Sequence, residues 1–322
     1  MPNHSFYYAI GRITGLERSL LKKNELDSIS ELTGDRAIKS LVDYGYGQGA
    51  TDKSNLGALI SAEMEKLQQE IYDLTPNSKM TDLFFIDLDV INLKLYFKSK
   101  LLGNTLTSDE LVTGVFDRET LIPSLENKNY EAFGDTFSQY VEKMAEEIEL
   151  LEESANPMAV SQVVDRTVFS YIFDTIKKLR DSYLKNYFSN KVDLLNILSV
   201  LRSKVLRWNK QMAEGMMIDG GFISSSDIMD NYELDFVDLV RKTPLGPNEE
   251  RIKRAVFQYD SSEASVEFLQ DAFAEILNDT ALNDEYDVFG IGPIASYIIR
   301  KIREARKLRI IFSKKNSSAT SL

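Results

Sequence analysis

The chain of 322 residues contains no cysteine and a single histidine, His4. Without cysteine, the protein has no disulfide, no thiolate metal site, no iron–sulfur cluster and no cysteine nucleophile, which suits a reducing compartment. Any histidine-based triad or metal site would have to be built on the N-terminal tail. The common routes to metal and nucleophilic catalysis are therefore disfavoured.

Positive charge is also in short supply. The 38 Lys and Arg residues face 50 Asp and Glu residues, which gives a formal net charge of −12. Nucleic acids and anionic lipids attract basic proteins, so the sequence disfavours both as partners and suits basic protein partners. No apolar run approaches the roughly 18 residues of a membrane span, and the N-terminus lacks the basic leader and apolar core of a signal peptide. If the protein works at a membrane, we expect another chain to hold it there.

Period-two alternation with β-branched residues is nearly absent, whereas apolar residues recur three and four positions apart. This pattern predicts an all-α fold. Predicted helices include one from Ser54, as N-cap, to Leu74, an acidic helix over residues 137–154, one long helix over 160–188 and a basic final helix over 293–309.

Two segments about a hundred residues apart are written in the same frame, DVINLKLYFKSK (89–100) and KVDLLNILSVLRSK (191–204). Laid together, Asp89 pairs with Asp193 and Asn92 with Asn196, and both segments end in basic residues. The final helix has a basic ending about another hundred residues on. Internal repetition of this length predicts three helical units, over residues 1–112, 113–217 and 218–322.

The repeated Asp and Asn residues have two interpretations. They could be functional polar pairs. Their recurrence in equivalent places favours a structural role, either in capping the start of each helix or in hydrogen bonds between helices.

Three other stretches suggest chemistry at first sight. GQGATDKS (47–54) is similar to a phosphate-binding loop, but Asp52 stands where that loop needs its last glycine, so an ordinary turn is favoured. The glutamates at 142–153 could bind a cation, but such a run more often forms a solvated helix face. The aromatic residues over 169–188 could stack on bases, although helix packing explains them better. We predict no cofactor, no metal, no nucleotide and no active site.

The final helix carries an unusual charge. Between residues 300 and 315 there are eight basic residues and one acid, Glu304. Cations at a helix C-terminus complement the helix dipole, which is one explanation. The other is a basic patch for acidic groups of a partner protein, with the interface residues Arg300, Arg303, Arg306, Lys307 and Arg309.

Several of these segments resemble one family, the C subunits of V-type and A-type ATPases, which are related to the eukaryotic d subunits. GPIASY (292–297) followed by EARKLRIIFSK (304–314) is similar to the family's C-terminal signature, although Lys307 replaces the usual Asn and glycines 290 and 292 replace an acidic residue. The pairs Tyr8-Ala9, Arg12-Ile13, Leu16-Glu17 and Leu20-Leu21 resemble its first helix, and Tyr44-Gly45 its first turn. The frame from Asp193 to Lys204 is similar to its central helix, so the resemblance extends along nearly the whole chain.

This resemblance implies three similar helical domains arranged as a pseudo-threefold funnel. It further implies a non-catalytic socket, one copy per complex, on the cytoplasmic face of the membrane rotor ring. The socket would receive the central-shaft subunits and transmit torque between ATP turnover and transport of H⁺ or Na⁺. The alternative from the residues alone is a helical-repeat adaptor that binds proteins unrelated to an ATPase.

Overall fold

A computed structural model describes residues 6–75, 78–151, 156–262, 265–282 and 290–319. Every regular element within these ranges is helical, which confirms the predicted all-α class. The α-helices are α1 (Tyr7–Leu16), α2 (Lys23–Glu31), α3 (Gly34–Asp43), α4 (Leu56–Leu74), α5 (Lys79–Leu102), α6 (Arg118–Glu126), α7 (Gly134–Glu149), α8 (Pro157–Leu179), α9 (Ser182–Val205), α10 (Lys210–Glu214), α11 (Ser225–Met229), α12 (Phe236–Lys242), α13 (Glu249–Asp260), α14 (Val266–Ala281) and α15 (Gly292–Ala319).

The chain forms two compact units that are not consecutive in sequence. The first unit consists of the described parts of residues 1–88, 112–115 and 284–322, and the second of the described parts of 89–111 and 116–283. Helices α1 to α4 and α15 thus belong to one unit, although most of the chain separates them. The arrangement of three consecutive units in a funnel stays a prediction.

In the first unit, α15 packs against α4, α1 and α2. Asn55 begins α4 as its N-cap, one residue after the predicted Ser54, and its side chain accepts a hydrogen bond from the N–H of Ala58 at 3.2 Å. The buried face of α4 includes Leu59, Ile60, Leu67 and Ile71. An apolar stripe at helical spacing therefore places this helix in the core.

The second unit contains two kinds of core. Rings of Phe116, Phe133, Phe137, Tyr140 and Tyr171 stack edge-on or face-to-face where α7 meets α8. A second cluster is mainly aliphatic and draws on residues from 194 to 276, on both sides of the boundary predicted after residue 217. Four of the six aromatic residues singled out over 169–188 are buried, as helix packing requires: Phe169, Tyr171, Tyr187 and Phe188.

Several predicted helix limits are wrong, and the final helix α15 ends at Ala319 rather than at residue 309. The helix predicted over 160–188 is two helices, because Arg180 adopts a left-handed conformation (φ 55°) and ends α8. The carboxylate of Asp181 then accepts a hydrogen bond from the N–H of Leu184 at 2.8 Å and begins α9. The predicted capping role also fails, because Asp89 and Asp193 lie well inside α5 and α9 rather than at their starts.

Candidate functional site: the final helix

One side of α15 is buried along most of its length. Ile294, Ile298, Ala305 and Leu308 follow one another at helical spacing and are almost inaccessible to solvent. Lys301 lies on this same stripe and is also buried, with 2 % of its surface exposed. A buried lysine requires a compensating charge, so its surroundings determine how this helix is held.

Two glutamates provide that charge. The Nζ of Lys301 lies 2.7 Å from Oε1 of Glu63 on α4 and 3.0 Å from Oε1 of Glu304, one turn along α15. It also donates a longer hydrogen bond of 3.4 Å to the carbonyl of Ser19. Both carboxylates are themselves buried. We call Glu63, Lys301 and Glu304 the buried ion cluster.

Backbone groups complete the buried ion cluster. The N–H of Leu21 donates to Oε2 of Glu304 at 2.6 Å, and the N–H of Gly47 donates to Oε2 of Glu63 at 3.1 Å. Burial raises the pKa of Glu304, and the nearby Lys301 ammonium opposes that rise. One lysine thereby connects α15, α4, the segment after α1 and the glycine-rich loop.

The glycine-rich loop is shaped to reach Glu63. A Cβ at Gly47 would lie 2.6 Å from Cδ2 and 2.8 Å from Cα of Leu59, and Gly47 has a φ of +68°. Only glycine tolerates both the contact with α4 and this conformation. The amide of Gly47 that would face a phosphate in a nucleotide-binding loop instead binds a carboxylate of the chain itself, as the interpretation of an ordinary turn requires.

Tyr46 lies beside the buried ion cluster. The Nζ of Lys301 is 5.6 Å from the centre of its ring, within cation–π range. Within the described part of the chain, its hydroxyl is buried without a hydrogen-bond partner. Burial, with the negative charges of Glu304 and Glu63, raises the pKa of Tyr46, so the phenol stays neutral.

The five predicted interface residues occupy the other side of α15. Arg300 is half-buried and forms an ion pair with Glu17 at 3.0 Å. Arg303, Arg306 and Lys307 are half-buried, and each has an interaction within the chain. Arg309 is exposed. On the basic side of the helix, Arg300 is therefore already paired with a carboxylate of this chain, whereas Arg309 faces solvent.

Like charges crowd this side of α15. Burial lowers the pKa of Lys307, and the neighbouring Arg303 lowers it further. Burial also lowers the pKa of Arg303, although a guanidinium stays charged at any physiological pH. An acidic partner group at this surface would oppose the lowering of the Lys307 pKa and offset the repulsion between Lys307 and Arg303.

The repeated polar pair of α9 has a different task, which is to hold a loop. Oδ1 of Asp193 accepts a hydrogen bond from the N–H of Ile223 at 2.9 Å, and Asn196 exchanges two hydrogen bonds of 2.8 and 2.9 Å with the backbone of Ile218. The equivalent residues of α5 are also buried, and Asn92 donates to Asp89 at 3.1 Å. We call Asp193 and Asn196 with residues 218–223 the loop clamp.

Two glycines allow the loop clamp to close. A Cβ at Gly221 would lie 2.1 Å from Oδ1 of Asp193, and a Cβ at Gly220 would lie 2.2 Å from the ring of Phe173. Burial raises the pKa of Asp193 to about 6, against the lowering effect of hydrogen bonds from Ile223 and Phe222. The hydrogen bonds of Asp193 and Asn196 therefore run from a helix to a loop and not between helices, as one interpretation had predicted.

The remaining candidate chemistry takes the form of surface ion pairs. On α7, Glu142 and Glu146 are exposed, while Glu147 and Glu149 pair with Arg166 and Lys128. Residues 152–155, which include the last two glutamates of the run, lie outside the described residues. Among the described residues, acidic and histidine side chains form no group of three or more that could hold a metal ion. None of the described helices combines the length and apolar content of a membrane span.

Comparison with known proteins places this arrangement in a family. Residues 9–319 match the family model for the ATP synthase (C/AC39) subunit. The chain belongs to this family. Among C/AC39 relatives, it is 21 % identical to the C subunit of the A-type ATP synthase of Thermococcus kodakarensis, over 94 % of this chain and 85 % of the relative. It is 22 % identical to the corresponding A-type protein of Methanothermobacter thermautotrophicus, over 96 % and 82 %.

Membership in the C/AC39 family confirms the resemblance and disfavours an adaptor unrelated to an ATPase. The sequence signature at the C-terminus was found because it lies in one continuous stretch. Sequence reasoning missed the buried ion cluster, since Glu63 lies 238 residues from Lys301. One signal was available: Lys301 falls on the apolar stripe of α15, three residues after Ile298 and four before Ala305.

Proposed function

We propose that this chain is the non-catalytic socket of a rotary ATPase, which joins the central shaft to the membrane rotor ring and transmits torque between them. The observation that carries the proposal is the family match over residues 9–319, which extends along nearly the whole chain. In this role the protein is present once per complex and lies on the cytoplasmic face of the membrane.

The geometry of the first unit is suited to a protein that bears mechanical load. A torque coupler must keep its helices in fixed positions while partners push on them. The buried ion cluster ties α15 to α4 and to the segment after α1 by short contacts. Separating Lys301 from Glu63 is costly because it would leave buried charge without its partner.

The basic side of α15 supports an acidic partner surface on the shaft. Arg309 is exposed there, and Arg303 and Lys307 repel each other at close quarters. An acidic partner would offset this repulsion. We propose Arg300, Arg303, Arg306, Lys307 and Arg309 as the shaft-facing set, with Arg309 the member most available to a partner.

Binding of the purified protein to two partners tests the function. One arm presents the detergent-solubilised rotor ring and the other the soluble shaft subunits, and ATP hydrolysis by this chain alone is measured in parallel. We expect binding in both arms and no hydrolysis. Binding in neither arm would overturn the proposal.

A charge reversal tests the proposed surface. Arg309→Glu should weaken binding to the shaft subunits about tenfold, and the loss should shrink at high salt because exposed charges are screened. Lys178→Glu, at an exposed position of α8, makes the same charge change elsewhere and should leave binding unchanged. Equal behaviour of the two variants would remove α15 from the shaft interface.

A further inference from the structure

An open cavity of about 430 Å³ lies in the second unit, where the chain passes from α8 to α9. The residues that line it from α8 and its C-terminal end are spaced three and four positions apart, which places them on one helix face: Phe173, Ile176, Lys177 and Arg180. Asp181 and Lys185 line it from the side of α9. The volume is within the range of small-molecule sites, about 300–1,000 Å³. We call this space the elbow cavity.

The elbow cavity is surrounded by positive charge. Lys177, Arg180 and Lys185 are exposed, and within the described ranges none of their side chains forms an ion pair or a hydrogen bond. Lys128, another exposed cation of the second unit, is by contrast paired with Glu149 at 2.9 Å. On a chain with a net charge of −12, three unpaired cations around one cavity concentrate a positive potential there, which attracts an anion.

The acidic residues beside the cavity are already engaged. The carboxylate of Asp181 accepts the N–H of Leu184 at 2.8 Å, as the N-cap of α9. Asp174, which follows Phe173 in α8, accepts a hydrogen bond from the hydroxyl of Tyr140 at 2.5 Å. Neither carboxylate pairs with the three cations, so the cavity keeps its excess of positive charge.

Phe173 adds a flat apolar surface. Of the six aromatic residues singled out over 169–188, Phe173 and Tyr183 are the two that lie half-buried. The loop clamp holds the ring of Phe173 from one side, where a Cβ at Gly220 would lie 2.2 Å from it. The hydroxyl of Ser189 in turn donates to the carbonyl of Gly220 at 2.7 Å. A ring that is already fixed loses little freedom when a planar group packs on it, which favours binding.

We infer that the elbow cavity binds a nucleoside phosphate, with the base against Phe173 and the phosphate groups between Lys177, Arg180 and Lys185. Aromatic side chains stack on any base, because every base has a π-face. One guanidinium and two ammonium groups supply charge-assisted hydrogen bonds to phosphate oxygens. Inorganic phosphate alone would leave the ring unused, and a neutral nucleoside would leave the cations unpaired.

This site is separate from the glycine-rich loop over residues 47–54, which led to the expectation of no nucleotide. In that loop the amide of Gly47 is occupied by Glu63. The cations of the elbow cavity have no such internal partner within the described part of the chain.

Calorimetric titration of the purified full-length protein with ADP tests this inference, because ADP combines a purine base with two phosphate groups. We expect one ADP per chain, and we expect adenosine and inorganic phosphate each to bind at least about tenfold more weakly. Lys177→Gln, Lys185→Gln and Phe173→Leu should each weaken ADP binding about tenfold. Lys178→Gln is the matched control, since Lys178 is exposed beside Lys177 on α8 but does not line the cavity, and it should bind ADP as the wild type does.

A second measurement is the midpoint of thermal unfolding, which shows that each variant is folded and which ADP should raise in the wild type. The absence of both binding heat and a rise in this midpoint at millimolar ADP overturns the inference. Inorganic phosphate bound as tightly as ADP also overturns it, because the cavity would then be a simple anion site. An equal loss in Lys178→Gln and Lys177→Gln would show general electrostatic attraction and overturn it too. The titration needs neither rotor ring nor shaft subunits, so its failure leaves the proposed function intact.

Discussion

In each unit a buried carboxylate binds the backbone of a glycine-containing loop, but the groups around the two carboxylates differ in charge. In the first, Glu63 accepts the N–H of Gly47 while Lys301 neutralises it at 2.7 Å. In the second, Asp193 accepts the N–H of Ile223, and backbone hydrogen bonds oppose the rise in its pKa that burial causes. Desolvation raises the pKa of Glu304 and of Asp193 alike; the Lys301 ammonium opposes the rise for Glu304, and backbone hydrogen bonds oppose it for Asp193.

The largest expected effect comes from removing the cation of the buried ion cluster. Lys301→Met keeps the length and apolar stem of the side chain but leaves Glu63 and Glu304 buried without their counter-ion. We expect the free energy of unfolding, measured in urea, to fall by about 3–5 kcal/mol. Arg300→Met, which breaks the half-exposed pair with Glu17, should cost about 1 kcal/mol or less. Equal losses would show that the buried ion cluster contributes no more to stability than the half-exposed pair of Arg300 and Glu17.

Substitution of the loop glycines should have the next largest effect. Gly47→Ala and Gly221→Ala each place a Cβ within 2.8 Å of existing atoms, and Gly47 also has a positive φ. Each change should lower the midpoint of thermal unfolding, with a loss of about 3 kcal/mol. Gly11→Ala is the control, because Gly11 lies inside α1 with nothing within 4 Å of an added Cβ. It should raise stability by about 1 kcal/mol, and destabilisation there would contradict the account.

The smallest expected effect is the dependence of stability on pH that Asp193 causes. The folded-state pKa of Asp193, about 6, is above its ordinary 3.8. The folded protein thus binds this proton more tightly, and the resulting stability is complete below about pH 4 and lost as the pH rises through 6. Between pH 4 and 7, wild-type stability should fall by about 2–3 kcal/mol relative to Asp193→Asn. Parallel pH profiles for the two proteins would refute the raised pKa.

The sequence predicts the helical class and many helix limits well, because local signals set them. The break at Arg180 was missed because the apolar spacing of α8 continues into α9, which hides the N-cap Asp181. The capping interpretation of Asp89 and Asp193 fails because an acidic residue ahead of an apolar stripe gives the same sequence pattern at the start of a helix and inside one. The partners of Lys301 come from distant parts of the chain, and helical spacing carries no information about them.

The contacts of α15 also determine when the first unit can fold. Lys301 lies 238 residues after Glu63, and Glu304 lies 283 after Leu21. A ribosome needs roughly 10–50 seconds to add that length of chain. Until Lys301 has been synthesised, Glu63 lacks its partner. The core around α1 to α4 is therefore incomplete while the second unit is made and can fold. We therefore expect the first unit to complete its fold after the second, and to be exposed to chaperones and proteases for longer during synthesis.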